Sequence, residues 1–172
     1  MTLPDVQFIP VTRSNSEQYL DLGKQSYREH YLHLWHNGDP SDYFNIYFTT
    51  DAIRNELQAT QLKHFIVQVG ADPIGIVKLN DKKSLPPFPD DQSLLLEKIY
   101  FLEKFSGKGY GKVALRQIES IARSMGKRWL WLDTMQKGKA KNFYFDQGFE
   151  IHKEIRCASR IIGFCDILSF VI

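Results

Sequence analysis

The stretch LEKIYFLEKFSGKGYGKVAL, residues 96–115, carries three glycines at alternate positions: Gly107, Gly109 and Gly111. Lys108 and Tyr110 are interleaved with them, and Lys112 follows. An apolar-rich run precedes the glycines and a helical pattern succeeds them. Ala114, Ile118, Ile121, Ala122 and Met125 recur at the spacing of one helix face, and Gly126 is placed to stop that helix. The first N–H groups of a helix have no partners within it, and the helix dipole makes them electropositive. Glycines let such a backbone approach an anion closely, and the two lysines add charge. The stretch therefore predicts a phosphate-binding turn between a strand and a helix.

Two familiar phosphate patterns do not fit. A P-loop ending at Gly111-Lys112 would have Ser106 in place of its first glycine and Val113 in place of its metal-binding hydroxyl. A dinucleotide fingerprint starting at Gly107 would meet Lys112 where its third glycine belongs, and it would follow antiparallel rather than parallel strands.

Working outward, the chain has 172 residues, 43% hydrophobic and 24% charged, with a net charge of +2. Those values suit one globular domain over residues 1–172 and give no basic stretch for nucleic acid. No apolar run is long enough to cross a bilayer, and MTLPDVQFIP lacks the pattern of a secretory leader. Cys157 and Cys165 read as reduced packing thiols. The expectation is a cytoplasmic protein without metal.

Strands are expected at VQFIPVT, HFIVQVG, DPIGIVKLN, SLLLEKIYFLE, RWLWLDTM, FEIHKEIRC and FCDILSFVI. Ser14 or Ser16 is expected to cap a first helix reaching Trp35, with Glu17 completing a capping box. A second helical region covers 41–59 with Thr50 or Asp51 as a cap, and KAKNFYFDQ forms a short helix ended by Gly148. NDKKSLPPFPDDQS, residues 80–93, reads as an exposed loop. Hairpins, one βαβ crossover and a closing hairpin make an α+β domain with a mixed sheet. The last strand is expected at an exposed edge, which would favour a homodimer.

The glycine run and its preceding strand resemble the acetyl-CoA-binding motif of the GNAT superfamily of N-acetyltransferases, in which (Gln/Arg)-x-x-Gly-x-(Gly/Ala) opens a helix. Ser106 stands at the Gln/Arg position. AKNFYFDQGFE resembles a second signature of that family through Ala140, Phe143, Tyr144, Gly148 and Phe149. More loosely, SDYFNIYFTTDAIRNEL and SLLLEKIYF look like bacterial spermidine/spermine N-acetyltransferases. The resemblance implies the GNAT acyl-CoA N-acyltransferase fold, a mixed, mostly antiparallel central sheet of about six to seven strands flanked by about four helices.

The resemblance also implies site residues. Amides of Ser106, Gly107, Lys108, Gly109, Tyr110, Gly111 and Lys112 would cradle the coenzyme pyrophosphate. Backbone of Ile99, Tyr100 and Phe101 would meet the pantetheine arm where two central strands splay. Lys137, at the position where the family often has Asn, and Asn142 would also contact the coenzyme. Tyr144 would be the general acid for the departing thiolate. Glu97 interrupts an apolar strand, and a carboxylate raised by burial there would serve as the base. His30, His33 and His36 lack acidic or cysteine partners at matching spacing and are read as packing or acceptor-side residues rather than metal ligands.

The implied reaction moves acetyl from acetyl-CoA to a primary amine by direct attack. The expected acceptor is a small molecule, polyamine-like, in a narrow acidic groove fed by Asp39, Asp42, Asp90 or Asp91. The alternatives are a protein α-amino or lysine acceptor, and a non-catalytic acyl-CoA-binding module.

Overall fold

The computed structural model describes residues 5–84, 86–136, 139–156 and 164–172. Seven strands form one sheet in the order β1-β2-β3-β4-β5-β7-β6. They are β1 (Val6–Pro10), β2 (Leu62–Val69), β3 (Asp72–Asn80), β4 (Ser93–Phe101), β5 (Trp129–Met135), β6 (Glu150–Arg156) and β7 (Phe164–Val171). Every neighbouring pair is antiparallel except β4 and β5. That parallel pair needs a crossover, and α4 (Tyr110–Ser124) supplies it. The expected α+β sheet is present.

Helices α1 (Ser16–Tyr31), α2 (Ser41–Tyr47) and α3 (Thr50–Glu56) cover one face of the sheet. Their core includes Tyr19, Leu20, Phe48 and Ile53 against Ile66 and Ile76. Helix α4 and α5 (Lys139–Asp146) cover the other face. There Leu115, Ile118, Ala122, Tyr144 and Phe149 pack on Leu94, Leu96, Leu130 and Leu168.

Several boundaries differ from expectation, each for a local reason. Helix α1 ends at Tyr31, and two 3₁₀ turns follow; Trp35 is extended and Asn37 is left-handed at φ 59°. The N-cap of α1 is Asn15 rather than a serine. The Asn15 side chain accepts from the Thr12 amide, and Ser16 donates backwards to the Arg13 carbonyl, so no capping box forms. The 41–59 region splits into two helices because Thr49 is extended and its hydroxyl caps α3 by accepting from the Ala52 amide. Five α-helices result among the described residues, in keeping with the expected sheet flanked by about four. The last strand is not an edge: β7 lies between β5 and β6, which removes the stated reason for a dimer. Cys157 and the Cys165 side chain lie outside what is described.

Candidate active site

The parallel pairing of β4 with β5 covers only Ser93–Leu95 against Trp129–Trp131. Beyond that point β4 continues to Phe101 and β5 to Met135 without pairing to each other, so a cleft opens between them. The register of β4 against β3 also slips there: Lys78 faces Lys98 and Leu79 faces Leu96, which leaves Glu97 as the extra residue of a bulge. The bulge reverses the phase of side-chain alternation. Leu94 and Leu96 face the α4 side before it, and Ile99 and Phe101 face that side after it. Lys98 and Tyr100 consequently turn toward α1–α3.

Backbone directions follow from the same ladder. The Leu102 amide donates to Ile74 on β3. Alternation then aims the N–H and C=O groups of Ile99 and Phe101 away from β3, toward the cleft. The Phe101 carbonyl is met by His30 Nε2 at 3.0 Å, which ties α1 to the end of β4. Tyr100, by contrast, bonds on the β3 side, and its ring joins the aromatic cluster under α1 and α2.

At the mouth of the cleft, Gly107 and Gly109 have φ of 72° and 84°. Other residues adopt this left-handed conformation only at a cost, and a side chain at either position would project into open space. Gly109 is the N-cap of α4 and offers no side chain to the helix start. None of the N–H groups of Lys108, Gly109, Tyr110, Gly111 or Lys112 has an acceptor among the described residues, and Val113 is the first to bond back, to Gly109. The Ser106 amide is not part of this set, because it donates to Glu103 within a 3₁₀ turn. A Cβ on Gly111 would come within 3.2 Å of Phe143 on α5 and 3.9 Å of Phe101 on β4. Cradle, α5 and strand end therefore converge. These donors fit a diphosphate: several unpaired amides, a helix N-terminus and the flanking lysines 108 and 112.

Tyr144 is buried on α5 beside this convergence. Burial, with the nearby Tyr31 and Asp133, raises its phenol far above its ordinary value, so it stays protonated. Asp133 on β5 was not singled out from the sequence, although it breaks the apolar run RWLWLD as Glu97 breaks β4. It opens onto the cleft beyond the point where β5 leaves β4. Asp133 is an exposed residue. Desolvation by the surrounding protein raises its carboxyl from its ordinary value, against the hydrogen bond from its own backbone amide and the Lys98 ammonium, with Glu97 adding to the rise.

Glu97 behaves in the opposite way to expectation. Burial alone would raise it, but the ammonium groups of Lys98 and Lys78 more than offset that and hold it below its ordinary value. Its Oε1 lies 2.6 Å from Lys78 Nζ and 3.5 Å from Lys98 Nζ. Lys78 also meets Glu56 Oε1 at 2.6 Å, and Glu56 Oε2 lies 2.7 Å from His64 Nε2. The result is a chain of alternating charge from α3 to the bulge.

Other expected residues fall in different places. Asn142 is exposed on α5, and Lys137 lies outside the described residues. Asp90 and Asp91 line a surface depression with Asp81, Lys82 and Lys127. That depression is at the paired start of β4, the far end from the cleft, so they cannot feed an acceptor groove there. Asp39 accepts from the Ser41 amide ahead of α2, and Asp42 is exposed on α2.

Comparison with known proteins adds to this geometry. A family model described as "Acetyltransferase (GNAT) family" matches residues 24–149. An uncharacterized N-acetyltransferase from the pepI 3' region of Lactobacillus delbrueckii subsp. lactis is 21% identical over 144 residues, covering 83% of each chain. The PaiA N-acetyltransferase of Thermoplasma acidophilum, solved in complex with coenzyme A, superposes with a TM-score of 0.77 at 14% identity, over 98% of this chain and 99% of that one. The spermidine/spermine N-acetyltransferase SpeG of Vibrio cholerae, solved with manganese ions, gives a TM-score of 0.68 at 14% identity, over 96% and 92%.

Proposed function

This chain belongs to the GNAT acetyltransferase family, and from that premise we propose that it transfers acetyl from acetyl-CoA to the primary amine of a small molecule by direct attack. The observation that carries the reading is the row of free amides from Lys108 to Lys112 at the mouth of a cleft whose walls hold a protonated Tyr144 and a raised Asp133.

Acetyl-CoA, when bound, supplies an activated thioester. The amides and Lys108 and Lys112 hold its pyrophosphate at the start of α4. Ile99 and Phe101 offer backbone groups toward the pantetheine arm and the thioester oxygen. An incoming ammonium must lose a proton before its nitrogen can attack. Asp133 takes that proton: its carboxyl is raised, opens onto the cleft and has no ion pair among the described residues. Glu97, paired with two lysines and held low, is the weaker base and instead balances Lys98. As the nitrogen–carbon bond forms and the carbon–sulfur bond breaks, Tyr144 donates its phenol proton to the sulfur, and the second proton shed by the nitrogen as it becomes an amide restores the phenol through solvent in the cleft.

The test is amine-dependent release of free thiol from acetyl-CoA, with the acetylated amine identified by mass. Release that needs the amine and equals the acetamide formed supports the reading. Coenzyme binding without release by any primary amine contradicts it and leaves a binding module.

A further inference from the structure

On the α1–α3 face of β4, the buried Lys98 sits among aromatic rings. Its Nζ lies 5.0 Å from the Tyr47 ring centre and 5.9 Å from both Tyr43 and Phe48, with Glu97 Oε1 at 3.5 Å. Aromatic faces and one carboxylate are the chemistry by which proteins hold an ammonium group. The cage is tied to the aromatic wall beneath α1 and α2: Tyr43 shares a hydroxyl contact of 3.1 Å with Tyr100 and stacks on Tyr27 at 4.7 Å, and Tyr100 meets Tyr31 at 5.5 Å. The other carboxylate on this side, Glu56, is already engaged by Lys78 and His64. The two glutamates are thus balanced by the two lysines, and Asp133 is left to take the proton of the reacting amine.

Resting on the proposed acetyl transfer, we infer that Lys98 fills the cation cage of the acceptor site from within, so that the acceptor is a monoamine with an uncharged, aromatic or apolar body rather than a polyamine. When one nitrogen of a polyamine is deprotonated for attack, its other nitrogens stay charged and need anions or ring faces. Here the nearest such partners, Glu97, Glu56 and the rings around Lys98, are occupied. An apolar body instead meets rings, and Tyr47 and Ile46 on α2 present further exposed apolar surface.

The experiment measures kcat/KM at fixed acetyl-CoA for 2-phenylethylamine and for spermidine, in the wild type and in Lys98→Met. The expected wild-type ratio favours 2-phenylethylamine by about tenfold or more, the size of one desolvated cation–aromatic contact. Lys98→Met vacates the cage and frees Glu97 to hold a substrate ammonium, so the ratio shifts toward spermidine by about tenfold. In Glu97→Gln/Lys98→Met that gain disappears. A wild-type preference for spermidine overturns the inference while leaving acetyl transfer standing, and so does a folded Lys98→Met with an unchanged ratio. The wild-type ratio decides by itself if the variant does not fold. Absence of thiol release with every amine overturns the parent reading instead.

Discussion

Lys141, in the first turn of α5, forms an ion pair with Asp166 on β7, a residue with no exposed surface. Gln136, at the end of β5, donates to the other oxygen of the same carboxylate at 2.7 Å. One buried group therefore ties both sides of the segment that leads from the cleft into the helix carrying Tyr144. Lys141 is committed to this anchor.

Replacing Asp166 with Ala should cost about 3 kcal/mol or more, because it strands a partly buried ammonium and an amide. Burial raises the Asp166 carboxyl, but Lys141 and Gln136 outweigh it and hold the carboxyl below its ordinary value. Its stabilising effect is therefore complete above the usual carboxylate range and is lost as pH falls below that range. Urea unfolding at neutral pH and near pH 3, for wild type and Asp166→Ala, checks both statements. Equal stability at neutral pH would contradict them.

Glu56 makes a second pH-dependent contribution of the same sign. Burial raises it, but the hydrogen bonds from His64 and Lys78 dominate and lower it from 4.5 to about 2. The shift corresponds to about 3 kcal/mol of stability, present above pH 4.5 and lost as pH falls toward 2. Glu56→Gln should flatten the acid limb of the stability curve. An acid limb as steep as that of the wild type would contradict this assignment.

The fold itself predicts the effect of a small change. A Cβ on Gly23 of α1 would come within 2.1 Å of the Phe48 ring and 2.9 Å of Ile76. Phe48 is 1% exposed and Ile76 fully buried, so neither has room to yield. Gly23→Ala should destabilise the protein by about 1–3 kcal/mol despite its better helix propensity. A rise in the thermal midpoint would show that α1 sits farther from the sheet.

Much of this arrangement was legible in the sequence, because local chemistry specified it. Asp72–Asn80 appears as a strand with the bounds read from DPIGIVKLN, and the glycine run forms an uncapped helix start. What escaped depends on distance in the chain. The sequence shows a carboxylate in an apolar strand at both 97 and 133 and a lysine next to Glu97, but only the fold brings a second lysine onto Glu97. Lys78 comes from β3, opposite the bulge, so its share in lowering Glu97, added to that of the neighbouring Lys98, is a tertiary effect that spacing does not encode. The edge assignment failed similarly: β7 inserts between β5 and β6, a strand order that consecutive pairing does not anticipate.

The roles of Asp133 and Tyr144 separate in the pH dependence of kcat. Tyr144→Phe removes a proton donor and should lower kcat by about a hundredfold, with little change in the acetyl-CoA dissociation constant. Asp133→Asn should lower kcat similarly and abolish the acid limb of the profile, whereas Glu97→Gln should keep that limb. Retention of the acid limb in Asp133→Asn together with its loss in Glu97→Gln would return the base to β4.

The most direct test of the central claim is thiol release from acetyl-CoA by the wild-type chain and by Gly109→Trp, with a primary monoamine present. Gly109 has open space around it, so the bulky side chain stays outside the core and blocks the amides of the cradle. The expected result is amine-dependent release by the wild type, and a folded variant that neither binds the coenzyme nor turns over. Unchanged coenzyme affinity and turnover in Gly109→Trp would contradict the cradle and the reaction built upon it.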